Sequence, residues 1–453
     1  MKKDRLAFTL MDIGYKKAGP VQIYDERTCY ENGDIIPFPT QLAIVTHALM
    51  LKDRPHGLIY QRKSQDLIDA WTNAKLPSKL KCDIDCVSEP TALQYSLFND
   101  IENIPFPGPA NPKFTFIDLF AGIGGFRMAF QNLGGQCVFS SEWDAQAQRT
   151  YFANYGEVPF GDITSENTKS FIPDNFDILC AGFPCQAFSL AGKRLGFEET
   201  RGTLFFDVAE ILRRKQPKAF FLENVKGLVI HDKGKTFKTI LNTLDEIGYV
   251  VPKPEIVNAM YFGVPQHRER IYIVGFRKDL GIKPEDFTYP EQKKVTKHFI
   301  DIREKDPVPS KYYLSTTYID TLIRHKARHE SKGNGFGYAI VGNDEVANAI
   351  VVGGMGRERN IVIDTRQTDL TPTTRIKGEY NKDGWRRMTP REWGALQGYP
   401  VYDQGDGSPV FQIPVSDTSA YKQFGNSVAV PAIQATAQQI LKVLSDKNII
   451  KLT

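Results

Sequence analysis

Between Phe114 and residue 285 the chain alternates short apolar runs with amphipathic stretches of helix length, and no other feature narrows the fold as far. The apolar runs are "FTFIDLF", "CVFSSEW", "FDILCAG", "KAFFLENV", "EIVNAMYFGVP" and "RIYIVGF"; among them lie "GFRMAFQNLG", "AQAQRTYFANY", "TLFFDVAEILRRKQP" and "FKTILNTLDEIGY". A strand that is apolar on both faces must be covered on both faces, and the helices between successive strands supply that cover. The alternation predicts an α/β fold, a doubly wound parallel sheet with helices on either side, over residues 113–285.

The flanks read differently. Residues 1–87 carry helix-like segments in "PTQLAIVTHALML" and "SQDLIDAWTNAKL" and form a separate N-terminal accessory domain of unassigned role. Residues 88–112 are Pro-rich and acidic, the composition of a linker. Residues 286–416 are turn-rich and predict a smaller irregular domain, after which 417–453 return to the first. Residues 291–390 hold 18 Lys or Arg against 13 Asp or Glu, an excess of 5 that accounts by itself for the chain's whole net charge of +4. Such a segment suits a polyanion, although an ordinary solvated surface gives the same balance.

Six cysteines in 453 residues make no disulfide framework, and "CDIDC" (82–86) has no Cys or His pair nearby for zinc. Reduced thiols and no bound metal are expected. No apolar run approaches about 18 residues and the start of the chain lacks a signal peptide's apolar core, so a cytoplasmic location and no membrane contact are expected.

Chemistry-bearing residues gather at predicted strand ends. "FIDLFAGIGGF" (116–126) is a strand running through a glycine turn into a helix, the arrangement that lets backbone N–H groups approach a ligand. Glu142 lies twenty residues past Gly122, a spacing that suits a ribose diol; Trp143 beside it suits an adenine face, and Asp162 an adenine amine. Each of these has a structural alternative as core, cap or turn. "AFFLENV" (219–225) carries Glu223 and Asn224 at the end of a buried strand, where open parallel sheets keep their ligands. Cys180 sits inside the apolar run "FDILC" and reads as a small hydrophobe; Cys185, past Pro184 in a glycine-bounded loop, is placed as a nucleophile.

Taken together, "DLFAGIGGF", "GFPCQ", "ENV", "QHRERIYIVGF" and "FGNSVAVPAI" resemble, in order, the motifs of the DNA (cytosine-5) methyltransferase family. The resemblance runs from about 114 to the C-terminus. It implies a Rossmann-like, S-adenosylmethionine-dependent catalytic domain, a target-recognition domain over 286–416, and double-stranded DNA between them. It implies Cys185 as the thiolate that adds to cytosine C6, Glu223 at N3 and the exocyclic amine, Arg270 at O2, and Arg268 supporting the same site. It also implies a cofactor pocket of Phe120, Ala121, Gly122, Gly124, Gly125, Glu142, Trp143, Asp162, Ile163, Leu204, Asn426 and Ser427, with S-adenosylhomocysteine as product. The segment 386–400, "RRMTPREWGALQGYP", resembles a motif that organises the small domain.

The segments "KYYLSTTYIDTLIRHKARHESKGNGFGY", "VVGGMGRERN" and "TPTTRIKGE" are most similar to methyltransferases of bacterial restriction-modification systems specific for CCGG, with a CCWGG-type site as the alternative. Arg357, Arg359 and Arg375 are candidates for guanine or phosphate contacts, and Gln186, Ser189 and Lys193 for DNA contacts in a closing loop. An RNA cytosine-5 enzyme and a DNA-binding regulator are the competing classes. "QYSLF" (Gln94–Phe98) resembles a sliding-clamp-binding pentapeptide, with Tyr95 departing from the pattern. A cognate endonuclease acting on the same site, a monomeric state and association with a bacterial nucleoid complete the expectations.

Overall fold

A computed structural model describes residues 29–30, 34–73, 104–184, 204–333, 335, 337–352, 356–369 and 379–452. Cys185, Gln186, Ser189, Lys193, Arg375 and the Gln94–Phe98 pentapeptide lie outside the described residues.

A seven-stranded sheet forms the centre of the molecule. Its strands are β1 (Phe114–Leu119), β2 (Gly135–Ser141), β3 (Ile178–Gly182), β4 (Ala219–Val225), β5 (Tyr249–Val250), β6 (Glu255–Asn258) and β7 (Glu269–Arg277), in the order β2-β1-β3-β4-β7-β5, with β6 also on β7. Strands β1 to β4 are parallel, as the alternation predicts. The expectation of a wholly parallel sheet fails at β7, which runs antiparallel to β4, β5 and β6. The stretch between β6 and β7 holds a 3-10 turn (Ala259–Phe262) and a two-residue strand (Gln266–His267), too little for the crossover a parallel neighbour requires.

Helices α3 (Gly125–Gln131), α4 (Ala145–Tyr155), α5 (Leu204–Lys215) and α6 (Lys235–Glu246) follow β1, β2, β3 and β4. They divide the apolar side chains between two clusters: Phe116, Phe130, Cys180 and Phe221 belong to one, and Ile117, Phe139, Leu179 and Phe220 to the other. Successive residues of each strand thus point to opposite faces, and both faces are buried.

The N-terminal helices α1 (Phe38–Met50) and α2 (Leu58–Asn73) are not a separate unit. Leu42, Ile44, Val45, Leu51, Tyr60 and Leu67 belong to the same buried cluster as Ile117, Phe139 and Phe160. The stretch expected to be a linker is likewise docked where described. Phe106 N donates to Asn154 O at 3.0 Å, and the Phe106 ring packs against the core. Pro and Gly here shape a chain that runs along a surface, which composition alone does not distinguish from a tether.

The smaller region contains α7 (Thr316–Glu330) and a three-stranded sheet of β8 (Ala339–Ile340), β9 (Asn360–Ile363) and β10 (Trp385–Arg387). Its Arg386 is wholly buried between Asp364 and Glu392, at 3.0 and 2.8 Å. Phe299, Ile350, Val362 and Trp393 nevertheless pack in the cluster that covers one face of the large sheet. Helices α8 (Pro390–Leu396) and α9 (Asp417–Asn426) lead to α10 (Val430–Asp446), which returns to pack on α3; Asn132 Nδ2 donates to Gln434 Oε1 at 3.0 Å.

Candidate active site

The glycine turn after β1 is built from left-handed backbone: φ is +56° at Phe120, +56° at Gly122 and +83° at Gly124. A side chain at Gly124 would enter the Tyr155 ring, whose hydroxyl donates to Gly124 O at 2.9 Å. Gly124→Ala therefore combines a strained φ with a clash. It is expected to destabilise the fold by about 2–4 kcal/mol and to weaken cofactor binding, measured by thermal unfolding and by cofactor titration.

The next strand supplies the turn's acidic partner. Gly122 N donates to Glu142 Oε2 at 2.8 Å, and Asp144 N donates to Glu142 Oε1 at 2.8 Å. Burial raises the Glu142 carboxyl above its usual range, against the pull of these N–H groups. Each oxygen retains a further acceptor position, which suits two vicinal hydroxyls. Asp144 caps α4 through Gln146 N and Ala147 N, ending β2 sharply and leaving Trp143 81% exposed beside Glu142. Glu142 N donates to Phe160 O at 2.7 Å, which brings the following segment alongside; there Asp162 is exposed, its Oδ1 accepting from Thr164 N, and Ile163 is buried. Leu204 is half-buried at the start of α5.

The far end of the chain closes the turn from the other side. A Cβ on Gly125 would lie 2.7 Å from Val428 Cγ2, 2.9 Å from Tyr399 Oη and 3.1 Å from Ser427 Oγ. Ser427 Oγ shares a 2.7 Å hydrogen bond with Tyr399 Oη, while Asn426 stands exposed at the end of α9. Phe120, Ala121 and the glycines are thus brought together with Ser427 across some three hundred residues of sequence.

The second group of residues lies at the ends of β3 and β4. Gly182 pairs with Glu223, and a Cβ at Gly182 would sit 3.7 Å from Glu223 Oε2. From β7, Arg270 Nε reaches Glu223 Oε1 at 3.1 Å, so a carboxylate 8% exposed has its cation beside it. Asn224 Nδ2 donates to Phe183 O at 2.9 Å, which fixes the chain two residues before Cys185. Cys180 and Cys137 are fully buried, and burial pushes both thiols far above their ordinary range, so neither can serve as a thiolate.

Arg268, two residues before Arg270 and within electrostatic reach of Glu223, spends its hydrogen bonds on backbone carbonyls. Its Nη1 donates to Ile350 O at 3.1 Å, and its Nη2 to Ser427 O at 2.7 Å and Gly425 O at 3.3 Å. Burial, followed by the charge of Arg270, pulls the guanidinium down to about 9. Its place is a strut that sets Ser427 against the glycine turn. Arg268→Ala would take a buried donor from Ile350 O and Gly425 O and leave Ser427 O to Gln397 alone; it is expected to cost about 3 kcal/mol in unfolding experiments, with a parallel rise in KM for the cofactor.

Sequence reasoning missed three further supports: Asn224 as the tie to Phe183, Tyr155 under Gly124, and Gln397, whose Nε2 donates to Phe424 O at 2.7 Å and Ser427 O at 3.0 Å. All three lie in stretches quoted above, Asn224 in "AFFLENV", Tyr155 in "AQAQRTYFANY" and Gln397 in "RRMTPREWGALQGYP", but the partner of each is distant in sequence. Among the predicted DNA-contact residues, Arg357 lies over the Tyr421 ring at 5.4 Å, and Arg359 is half-buried in the bend just before β9.

Residues 114–442 match the family described as C-5 cytosine-specific DNA methylase. The chain belongs to this family. The methyltransferase is 67% identical over 363 residues to the type II methyltransferase M.HpaII of Haemophilus parainfluenzae, covering 80% of this chain and 98% of that protein. It is 45% identical over 360 residues to the type II methyltransferase M.SsoII of Shigella sonnei, covering 79% and 88%. Among solved structures, the S. pombe Dnmt2 methyltransferase aligns with a TM-score of 0.52 at 19% identity, over 74% of this chain and 99% of that one, a likeness of fold. The chain is a DNA cytosine-C5 methyltransferase of the type II restriction-modification class, and its family and fold imply S-adenosylmethionine. Among the described residues no helix is long and apolar enough to cross a membrane.

Proposed function

We propose that the enzyme methylates C5 of the inner cytosine of CCGG in duplex DNA through a covalent Cys185 adduct. One observation carries the chemistry: Glu223, paired to Arg270, lies opposite Gly182 at the strand ends from which Phe183, tied by Asn224, leads into Cys185. The target follows from the likeness of the small-domain segments to those of CCGG-specific methyltransferases.

Cytosine C5 is a poor nucleophile until C6 takes up electron density, and C6 is unreachable in a stacked duplex, so the base is flipped out. Cys185 Sγ adds to C6, and the displaced ring electrons are met at N3 by a proton from Glu223. Arg270 donates to O2 and holds the ring against the carboxyl. S-adenosylmethionine supplies the electrophilic methyl that C5 then takes, leaving S-adenosylhomocysteine. Loss of the C5 proton to water drives out the Cys185 thiolate, and the N3 proton returns to Glu223.

The glycine turn fits that cofactor because it presents backbone without side chains, a carboxylate with free acceptor positions and an exposed indole. In this reading Phe120, Ala121, Gly122, Gly124 and Gly125 surround its methionine part. Glu142 takes the ribose diol, Trp143 and Leu204 the adenine faces, Asp162 and Ile163 the adenine edge, and Asn426 with Ser427 the carboxylate region. Arg357, Arg359 and Arg375 face guanine or phosphate. Methylation then protects host DNA from a cognate endonuclease, which places a monomeric enzyme on DNA in the bacterial cytoplasm; the Gln94–Phe98 segment would tether it to a sliding clamp, which a peptide spanning 90–102 tests directly.

Bisulfite sequencing of DNA from cells expressing the enzyme tests the target. Protection confined to the inner cytosine of CCGG is expected; protection at another motif would overturn the assignment.

A further inference from the structure

Helices α1 and α2 precede the family match, which begins at residue 114. Yet they meet the catalytic region through a buried polar network as well as through apolar packing. The hub is Glu157, fully buried just past α4. Its Oε1 accepts from Arg127 Nη1 of α3 at 2.8 Å and from Ser140 Oγ of β2 at 2.8 Å, and stands 3.2 Å from His47 Nε2 of α1. The adjacent Val158 N donates to Thr46 Oγ1 of α1 at 2.9 Å. From α2, the buried Tyr60 hydroxyl lies 3.0 Å from both Val138 O of β2 and Phe171 O.

The catalytic ends of this network are the two supports of the cofactor turn. Arg127 is two residues past Gly125, donates to Tyr151 Oη at 2.9 Å, and stacks over the Tyr155 ring at 4.8 Å. Tyr155 is the ring that holds Gly124 O. Ser140 lies two residues before Glu142, which holds Gly122 N. Both sides of the turn are therefore indexed to one buried carboxylate, and α1 fixes the chain on which that carboxylate rides. A shift of α1 moves Glu157, and low-dielectric burial makes the Arg127–Glu157 pair intolerant of misplacement.

We propose that the N-terminal hairpin is a positioning element for the cofactor turn, acting through Thr46, His47 and Tyr60 on Glu157, Arg127 and β2, so that docking of the hairpin and binding of S-adenosylmethionine favour each other. The proposal rests on the cofactor reading of the glycine turn given above. Coupling of this kind is reciprocal: whatever the docked hairpin contributes to cofactor affinity, the cofactor returns as protection of the hairpin.

Hydrogen exchange on the full-length wild type, with and without saturating S-adenosylhomocysteine, reads that return. Protection at residues 118–128 reports binding at the turn itself. Exchange across 40–67, which includes no proposed cofactor residue, is expected to slow by about 5-fold or more on binding, the lower end of usual coupling. Thr46→Val combined with Tyr60→Phe is expected to raise KM for S-adenosylmethionine about 10-fold while kcat stays within about twofold, two hydrogen bonds' worth of docking. Protection at the turn with none at 40–67 overturns the proposal, as does a lower Tm of the double variant with KM unchanged. No protection at the turn overturns instead the cofactor reading beneath it. The wild-type exchange experiment decides the matter even where the variant fails to fold.

Discussion

Cys185→Ala is expected to abolish methyl transfer, with a fall in single-turnover rate of at least about 10⁴-fold, while binding of DNA and cofactor persists. The size follows from the reaction: without addition at C6 the ring never becomes enamine-like, and neither Cys137 nor Cys180 can replace the lost electron push. The candidates for replacement are poor. Cys180 is five residues away in sequence but wholly buried in β3, and Cys137 is wholly buried in β2. Burial lifts both thiols far out of the range in which a thiolate forms. Radiolabelled methyl incorporation into a CCGG duplex measures the effect, and a Cys185→Ala enzyme as active as the wild type would refute the mechanism.

Glu223→Gln is expected to lower kcat by about 10²- to 10⁴-fold, the range for removing a positioned proton donor, with a much smaller change in KM for the cofactor. The amide keeps the shape beside Gly182 and a hydrogen bond to Arg270, so the fold survives. What disappears is the transferable proton at N3. The loss falls on kcat because proton delivery matters as the adduct forms, whereas the cofactor turn lies on β1 and β2 and is held by Glu142 and Tyr155. Steady-state kinetics with separate variation of DNA and cofactor distinguish this pattern from general damage, which would raise both KM values and lower Tm.

Much of the site is legible in the sequence because its parts are local. A glycine turn is written by its glycines, and Glu142 bonds the turn at the twentieth residue because one helix and one strand separate them. Glu223 announces itself as a carboxylate ending a buried apolar run. What is not legible depends on long-range partners. Arg268 and Arg270 are two residues apart and look like one functional pair, yet Arg270 turns to Glu223 while Arg268 reaches carbonyls at 350, 425 and 427. The direction of β7 is invisible to hydropathy, since a buried strand reads alike in either direction. In α1 and α2, Thr46, His47 and Tyr60 read as unremarkable helix residues; only the fold shows that they are buried against Glu157 and β2. Helical periodicity reports that a face is apolar, never what covers it.

Catalysis as proposed turns on a covalent bond between Cys185 Sγ and C6 of the flipped cytosine. A CCGG duplex carrying 5-fluorocytosine at the inner position tests it, because fluorine at C5 cannot leave as the proton does and the adduct is arrested after methyl transfer. With S-adenosylmethionine present, the wild-type enzyme is expected to form a complex that survives denaturing electrophoresis, with the DNA on the peptide containing Cys185, and Cys185→Ala to form none. A trapped complex from Cys185→Ala, or none from an active wild-type enzyme, would contradict the account.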